Sequence, residues 1–567
     1  IIDGLTLKVS GGADMSSALR EVYEPKETNT GYNANGIAQQ QNRRSSSYSN
    51  ENILTYIKKF GVHSLNVMVG SSLLYEENKT SSMTARDFIS DVYGYNNLDA
   101  GAQWDKPNTG RSKSTLLSGF GRVNYVLMDK YLFTVTGRAD GSSKFGTNNK
   151  WAFFPSFAAA WRINQEKFMK EIDWISNLKI RGSWGVTGNQ NISSYSSQEK
   201  MNTYVYPIGG VTSVGIGAGN MPNPNLKWET TAITDIGLDF GVLNNRINFT
   251  ADYYYKKTTD LLWNISVPLT TGFGTVLKNI GSLENKGLEL SVSADVLTGQ
   301  FKWNTMINWS TNKNKVLEIP GYIPTQQGTI SGHLKVNGSW LEPGLPVGVW
   351  NLLKTNGVMR TEKEWQDAAR VADSNFDKIG DMSFVDKNGD GKISFGEDRQ
   401  IVGDPNPDFI FGWTNNFSYK NFDLSIYING SVGNDIYNVL RAETNIVSTW
   451  GNQRAEVMDR WTANNPNGKY PRAHVLVNQN LLQSDFLIED GSFLRVQNVT
   501  LGYTFPKVSF LRSLRVYATA QNLLTITGYS GFNPEVNSQG QSNLQMGVDY
   551  NAYPTARSFI LGVNIGF

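Results

Sequence analysis

One stretch near the middle of the chain has residue types and spacing suited to holding a hard divalent cation. Residues 386–397 fit the calcium-loop pattern D-x-[DN]-x-[DN]-G-x5-E, in which a glycine permits a sharp turn. The oxygen ligands would come from Asp386, Asn388, Asp390, Lys392 (by its backbone carbonyl) and Glu397. The spacing therefore predicts a structural Ca2+ site. The alternative is an Asp/Asn/Gly turn that binds no metal.

The segments on either side of this loop differ from the helices of an EF-hand. Residues 382–385 and 400–402 read as extended chain, so we expect a calcium loop without a helix pair.

Residues of the types that carry catalysis are scarce in the sequence. There is no Cys, and the three His residues stand in unrelated contexts at His63, His333 and His474, with no H-E-x-x-H spacing. The sequence therefore predicts that the chain is not an enzyme.

The composition limits the classes of fold that can present such a loop. The chain has 567 residues, 55 Gly, 12% aromatic and 18% charged residues, and a net charge of +2. No apolar run reaches the ~18 residues of a membrane helix, and a near-zero charge argues against nucleic acid as a partner. The mean hydropathy is −0.36. A polar average with many aromatics is typical of a membrane β-barrel, in which every second residue faces lipid.

Alternation of apolar and polar residues with a period of two is the main structural signal. At the C-terminus one apolar face is interpreted as the outer-membrane insertion signal, formed by Phe559, Leu561, Val563, Ile565 and Phe567. Similar patterns predict about 16 long strands, near residues 2–12, 45–58, 63–75, 116–128, 131–140, 153–163, 178–187, 232–241, 247–256, 287–297, 301–311, 408–418, 422–429, 499–505, 514–524 and 558–567. Strands of this length favour a transmembrane antiparallel β-barrel over soluble sandwiches or propellers.

The connections between the predicted strands alternate between short and long. Outer-membrane barrels have short periplasmic turns and long extracellular loops, so we expect the long connections outside, at 76–115, 188–228, 257–286, 312–407, 434–492 and 528–556. The alternation holds only if the strand-like stretch 348–359 does not span the membrane. We therefore place it in an extracellular insertion, 312–407, which also carries the loop 386–397, within one barrel domain covering 1–567.

Aromatic residues fall into two groups. Those near strand ends are interpreted as belts at the lipid–water interface: Tyr253–Tyr255, Trp151–Phe154 and Trp161. Those in loops are weaker candidates for contact with sugar faces or with a lid protein: Tyr204, Tyr206, Trp340, Trp350 and Trp365. No substrate-binding residue can be assigned from the sequence.

Several segments in order along residues 115–567 resemble the barrel of SusC/RagA-type TonB-dependent outer-membrane transporters of Bacteroidetes. They read GRADGSSKF at 137–145, RGSWGVTGNQ at 181–190, NPNLKWET at 223–230, SLENKGLE at 282–289, GDPNPDF at 403–409, DGSFLRVQNVTLGY at 490–503 and QNLLTITGYSGFNPE at 521–535. The chain also ends in Phe567, as such barrels do. A single segment of this kind is weak, but the ordered set is specific.

The resemblance implies a barrel of about 22 strands around an N-terminal plug. On that expectation this chain is the C-terminal part, without the plug and the first strands. The resemblance further implies active import of oligosaccharides or peptides, a SusD-like surface lipoprotein as partner, and energy from the TonB–ExbB–ExbD complex through a missing N-terminal region. Outer-membrane lipid or lipopolysaccharide would surround the barrel, and no nucleic acid is expected.

Two other functions remain open at this point. A self-contained 16-stranded diffusion porin is compatible with the even strand count. A surface β protein that binds glycans or mediates adhesion through the calcium loop is the second alternative.

Overall fold

The computed structural model describes residues 2–319, 325–330, 336–446, 452–506, 510–538, 540 and 544–567. Up to residue 318 the strands are β1 (Leu5–Glu24), β2 (Ile37–Phe60), β3 (His63–Phe88), β4 (Gly101–Trp104), β5 (Asn108–Leu127), β6 (Tyr131–Ser142), β7 (Trp151–Arg162), β8 (Ile175–Asn189), β9 (Met201–Ile208), β10 (Val211–Ala218), β11 (Glu229–Val242), β12 (Ile247–Thr259), β13 (Leu262–Ser266), β14 (Thr275–Asn279), β15 (Ser282–Thr298) and β16 (Phe301–Glu318).

The remaining strands include short ones inside the long connections. They are β17 (Thr325–Ile330), β18 (Val336–Leu341), β19 (Val349–Leu352), β20 (Thr355–Val358), β21 (Arg370–Val371), β22 (Met382–Phe384), β23 (Lys392–Ile393), β24 (Gln400–Gly403), β25 (Phe409–Tyr419), β26 (Phe422–Val432), β27 (Asp435–Asn438), β28 (Ile488–Asp490), β29 (Phe493–Thr504), β30 (Ser513–Thr527), β31 (Val548–Asp549) and β32 (Ser558–Gly566).

Helices are few and short in the described residues. The α-helices are α1 (Asn29–Tyr32), α2 (Glu362–Asp367), α3 (Val439–Asn445) and α4 (Gln479–Leu482). Single 3-10 turns lie at Gly94–Asn96, Leu98–Ala100, Ile163–Gln165, Lys167–Met169, Leu269–Thr271, Ser374–Phe376, Ala455–Asp459 and Asp485–Leu487. None of the helices that the structure describes is long and apolar enough to cross a membrane.

Unit 1 comprises residues 1–162, 181–234 and 258–280. Strands β1, β2, β3, β5, β6 and β7 pair in this order, each antiparallel to the next, and the described pairs show no register shift. β2 and β3 are 24 and 26 residues long, about twice what crossing a bilayer requires. Their tight turn uses Gly61 at φ +57, and the turn between β5 and β6 uses Met128 and Asp129 at φ +54 and +57.

The two faces of this sheet differ in polarity, as lipid on one side requires. The register places Leu7, Leu54 and Val69 side by side, and all three side chains are exposed. We call this side of the sheet the apolar face and the opposite side the polar face. Aromatic pairs mark both ends of the apolar face. Tyr131 stacks on Trp161 beside the tight turn at 128–130, and Tyr48 lies beside Tyr75 nearer the long connections. These pairs match the positions of interfacial belts.

Unit 2 comprises residues 163–180, 235–257 and 281–567. Strands β15, β16, β25, β26, β29, β30 and β32 are antiparallel neighbours in this order. Four residues of the predicted insertion signal, Phe559, Leu561, Val563 and Ile565, lie on one face of β32, and Phe567 follows the strand. All five side chains are exposed, Leu561 to 86%. Such exposure is expected for a lipid-facing strand, because apolar side chains there pack against acyl chains and not against protein. The insertion role itself remains a prediction.

The long connections of unit 2 are not irregular coil. Side chains from 339–407, 434–492 and 528–556 contribute to one hydrophobic core, with Trp350, Leu352, Tyr437, Leu487 and Val548 among its buried members. We call the described residues of these three ranges the loop module. The main sheet is the 17-stranded sheet that contains the long strands. The core of the loop module is separate from it and includes Ile393, which lies in the loop 386–397. The sequence predicted the positions of these connections but not their common core.

The predicted strands agree with the structure. All of the predicted long strands are found in the main sheet, whose 17 described members also include the short β4. The all-β antiparallel fold is thus confirmed. Residues 348–359 form β19 and β20, which lie outside the main sheet as predicted. Several strands are longer than predicted. β1, for example, reaches Glu24, although the alternation suggested an end near residue 12.

Candidate functional site

In unit 2 we call the side of the sheet with Phe559, Leu561 and Val563 of β32 the apolar face and the opposite side the polar face. A cavity of about 580 Å³ opens on this polar face. Strands β12, β15, β16, β25, β26 and β29 form its wall, and their polar-face side chains line it. Three carboxylates belong to the lining, those of Asp252, Glu289 and Glu535, together with the rings of Tyr427 and Phe493. Carboxylates accept hydrogen bonds from hydroxyl and amino groups, and aromatic rings offer apolar contact. The cavity can therefore hold a ligand that is rich in hydroxyl or amino groups.

Arg495 anchors a loop at the edge of this cavity. It is 4% exposed, and its guanidinium donates to Thr525 Oγ1 at 3.0 Å and to Asn533 Oδ1 at 2.7 Å. It also forms an ion pair with the Glu535 carboxylate and lies over the Phe493 ring. A buried guanidinium needs such partners, because an unpaired charge there would be costly. The residues 490–503 and 521–535, both noted in the sequence, therefore meet at Arg495.

A β-bulge turns Arg495 toward the polar face. The register between β29 and β30 shifts between Val496 and Asn498, and on the facing strand Asn522 has φ +51. An extra residue in one strand exchanges the two faces beyond it. As a result Val499 remains on the apolar face while Arg495 faces the cavity. The sequence marks this change only by two consecutive polar residues, Gln497 and Asn498, which separate the alternation of Leu494 and Val496 from that of Val499 and Leu501.

The segment 403–409 connects the loop module to the barrel strands. The Asp404 N–H donates to Asp435 Oδ2 at 2.8 Å, and the Asp435 N–H donates back to the Asp404 carbonyl at 2.8 Å. Asn406 donates to the Val347 carbonyl at 3.0 Å and accepts from Asn314 at 2.7 Å. Burial raises the pKa of Asp435, and the nearby Asp490 and Asp404 charges act in the same direction. Reciprocal bonds of this kind fix where β25 begins.

The predicted calcium loop has the expected backbone turns. The two carboxylate oxygens of Asp386 accept from the N–H groups of Gly389 and Gly391 at 2.6 and 2.8 Å. Gly391 has φ +78, which only glycine adopts without strain. Asn388 Nδ2 donates to Glu397 Oε2 at 3.3 Å, so the residues at positions 3 and 12 of the 12-residue pattern are neighbours. The flanks are the strands β22 and β24, as predicted.

Asp398 closes this loop, a role that the sequence did not reveal. Its fully buried carboxylate accepts from the N–H of Lys387 at 3.0 Å and from the N–H of Ser394 at 2.7 Å. These bonds hold the two ends of the loop together. Within the part of the chain that the structure describes, no three His, Asp or Glu side chains are grouped closely enough to hold a metal ion. Calcium therefore remains a prediction supported by the turn geometry.

The loop aromatics separate into buried and accessible ones. Trp350 and Trp340 are buried in the loop module, and the Arg399 guanidinium covers the Trp340 ring at 4.2 Å. Neither indole is available to a ligand. Tyr204 and Tyr206 are exposed on β9, and Trp365 packs against Arg370 at 4.4 Å.

The histidines have structural partners. His474 Nε2 lies 2.6 Å from Asp381 Oδ1, and His63 Nδ1 lies 2.7 Å from the Tyr125 hydroxyl. His333 lies outside the described residues. The His474 contact lies inside the loop module, and the His63 contact joins the neighbouring strands β3 and β5.

Comparison with known proteins decides the family. The model for "TonB dependent receptor-like, beta-barrel" matches residues 4–395. The chain belongs to this family. The TonB-dependent receptor P3 of Formosa agariphila is 36% identical over 577 residues, covering all of this chain and 57% of that protein. The TonB-dependent receptor SusC of Bacteroides thetaiotaomicron is 34% identical over 536 residues, covering 90% of this chain and 49% of SusC.

Solved structures agree on the fold of this TonB-dependent receptor barrel. The structure of the RagAB peptide transporter matches all of this chain and 60% of that chain, with a TM-score of 0.84 and 24% sequence identity. The chain spans about half the length of the curated relatives it matches. The resemblance to SusC and RagA is therefore confirmed, and the chain is an outer-membrane protein. Its relatives are receptors and transporters by name, which is in keeping with the prediction that it is not an enzyme.

Proposed function

We propose that the protein imports nutrients actively across the outer membrane, as the SusC-like channel partner of a SusD-like surface lipoprotein. The observation that carries this proposal is the polar-face cavity, with its three carboxylates and two aromatic rings, in a chain of the TonB-dependent receptor family. Long connections folded around their own core offer a surface for ligand capture, since selectivity is built where loops are held by a rigid scaffold.

The substrates that fit this cavity are oligosaccharides or peptides. Asp252, Glu289 and Glu535 can accept hydrogen bonds from sugar hydroxyls or from the amino groups of a peptide. The rings of Tyr427 and Phe493 can pack on a sugar face or on an apolar side chain. The RagAB peptide transporter, which is similar to this chain, is in keeping with a peptide substrate.

Energy for import would come from the TonB–ExbB–ExbD complex. This chain itself is proposed to act without ATP or a redox cofactor. Outer-membrane lipid or lipopolysaccharide would contact the apolar face, and nucleic acid is not a proposed partner.

Conductance of the purified full-length protein in a planar bilayer tests this proposal. A transporter of this kind is expected to be nearly silent, because its pathway opens only under TonB action. Steady open channels would show instead a diffusion porin, and extraction from cells without detergent would favour a surface adhesion protein. Either result would contradict the importer.

We further propose that residues 386–397 bind Ca2+ in a structural role. Asp386, Asn388, Asp390, Glu397 and the carbonyl of Lys392 would hold the ion, since Ca2+ prefers hard oxygen ligands. The bound ion would offset the charge of the loop carboxylates. Support comes from the Asp386 and Asn388 contacts and from the left-handed Gly391.

Metal content of the full-length protein tests the calcium site. After mild EDTA treatment and return of millimolar Ca2+, we expect bound calcium in the wild type and much less in Glu397→Gln. The exposed Asp367→Asn serves as the matched control and should bind as the wild type does. Absence of bound calcium in the wild type at millimolar supply would exclude the site.

A further inference from the structure

Three cationic side chains lie side by side on the apolar face of unit 1. The register pairs Arg44 of β2 with Lys79 of β3, and Lys79 with Arg111 of β5. Direct cross-strand partners have Cβ atoms about 4.5–5.5 Å apart, and like charges placed there destabilise a sheet. Lys113 lies on the same face, two residues from Arg111 and directly across from Glu77. This row of cations calls for anionic partners.

Glu77 provides only part of the compensation. It accepts from Arg111 Nε and lies 3.6 Å from Lys79 Nζ. The Glu77 side chain is 16% exposed, whereas those of Lys79 and Arg111 are 55% and 57% exposed. Glu77 is the one carboxylate on this part of the apolar face, among the described residues of β1, β2, β3 and β5. The part meant runs from the Tyr48–Tyr75 pair to the level of Ser81. Four cations against one carboxylate leave an exposed positive surface.

The position of the row relative to the membrane follows from its neighbours. Lys79 and Arg44 each lie four residues beyond the aromatic pair, Tyr75 and Tyr48, on the side away from the tight turn at Gly61. Four residues of a strand span about 13 Å. Tyr side chains mark the level of the lipid head groups, and the ends with long connections face outward. Because membrane strands are tilted by about 45°, the cationic row lies about 9 Å above the aromatic pair, at the outer edge of the outer-leaflet head groups.

We propose that Arg44, Lys79 and Arg111, assisted by Lys113, bind the phosphate groups of an outer-leaflet glycolipid. Guanidinium groups bind phosphate oxygens in pairs, and an ammonium group adds a compact charge. The acyl chains of the same lipid would lie on the apolar side chains nearer the turn, such as Leu73 and Val69, which are exposed. This site rests on the outer-membrane orientation of the chain and not on the proposed transport.

The neighbouring Arg43 offers a matched control. It precedes Arg44 in β2 and is also exposed, but successive strand residues point to opposite faces, so Arg43 lies on the polar face. Replacing either arginine by glutamine removes the same charge from the same strand. Only the loss of Arg44 should affect a lipid on the apolar face.

Native mass spectrometry of the full-length protein in detergent can test this site. The probes are lipid A with its phosphates, the same lipid after dephosphorylation, and inorganic phosphate. We expect retention of the phosphorylated lipid only, weakened about fivefold for each cation lost. The variants are Arg44→Gln, Lys79→Gln and a triple variant in which Arg44, Lys79 and Arg111 are all replaced by Gln. The control Arg43→Gln should bind the lipid as the wild type does. Heat-modifiable migration on gels confirms that each variant is folded.

If the triple variant does not fold, lipid retention by Lys79→Gln alone tests the proposal, because this variant keeps the Arg111–Glu77 ion pair intact. Equal retention of phosphorylated and dephosphorylated lipid would overturn the proposal. So would an equal loss in Arg43→Gln and Arg44→Gln. Displacement of the lipid by equimolar inorganic phosphate would show a site for a soluble anion and would likewise overturn it.

Discussion

Asp381 is fully buried, and its carboxylate Oδ1 lies 2.9 Å from Nε of Arg472, which is 91 residues away in the chain. Arg472 also contacts Asp381 Oδ2 at 3.2 Å and donates to the Asn375 carbonyl at 2.7 Å. His474 shares the same carboxylate. This ion pair joins the insertion 312–407 to the connection 434–492, so two long loops of the sequence act as one folded module.

Replacing Asp381 by Asn should loosen the loop module without unfolding the barrel strands. Removing one partner of a buried pair costs about 3–5 kcal/mol, and we expect about 2–3 kcal/mol because Arg472 is partly exposed. Hydrogen exchange measured separately for the loop module and for the main sheet would detect this. The control is Asp367→Asn, an exposed residue at the end of α2. Equal protection of the loop module in Asp381→Asn and wild type would contradict the structural role of the pair.

The stability of the loop module should depend on pH through Asp435. Its folded-state pKa is raised, mainly by burial. The contribution of this group is therefore fully present below its unfolded-state pKa, and it is lost as the pH rises through the folded-state pKa. Asp435→Asn should flatten this part of the profile, since an amide oxygen can still accept from the Asp404 N–H. Hydrogen exchange of the module across that pH range, compared between variant and wild type, would reveal the difference. Parallel profiles would show that Asp435 does not contribute.

Gly391→Ala should destabilise the loop 386–397 by about 1–2 kcal/mol, because φ +78 is strained for any residue with a Cβ. Gly396 is a close control. An added Cβ meets no atom within 4 Å at either glycine, but only Gly391 has a positive φ. Thermal unfolding with and without Ca2+ should show a loss for Gly391→Ala and little change for Gly396→Ala. A similar effect of both substitutions would mean that backbone strain is not the cause.

Leu561→Arg should impair membrane insertion of the last strand. A cation at the lipid-facing midplane costs about 2–4 kcal/mol, and Leu561 is exposed on the apolar face of β32. Ser558→Arg places the same side chain on the polar face of the same strand, directly across from the neutral Gln521, and should be tolerated. The measurement is the fraction of folded, heat-modifiable protein in outer-membrane fractions. Equal insertion of both variants would show that this face does not meet lipid.

The fold could be predicted from the sequence wherever lipid imposes a pattern. Phe559, Leu561 and Val563 alternate with small or polar residues because one side meets acyl chains and the other meets water. Beyond the hydrocarbon core of the bilayer that contrast ends, and β2 continues through Arg43, Arg44 and Ser45 with polar residues on both faces. This explains why strands such as β1 and β2 were predicted too short.

The site was less predictable, because its parts are distant in sequence. The pairing of Arg495 with Glu535 depends on a bulge that puts Arg495 on the other face from Val499, although both positions are odd. The burial of Trp350 depends on a core shared by three connections. The loop 386–397 could be recognised, because its turns use local contacts between Asp386 and Gly391.

Uptake by living cells tests the central claim most directly. Cells that produce the full-length protein would be supplied with labelled oligosaccharides or peptides, with and without a functional TonB system, and a strain lacking the protein would provide the baseline. Accumulation that requires both the protein and TonB is the expected result. Uptake that needs the protein but is unchanged without TonB would contradict active import and would identify a passive channel.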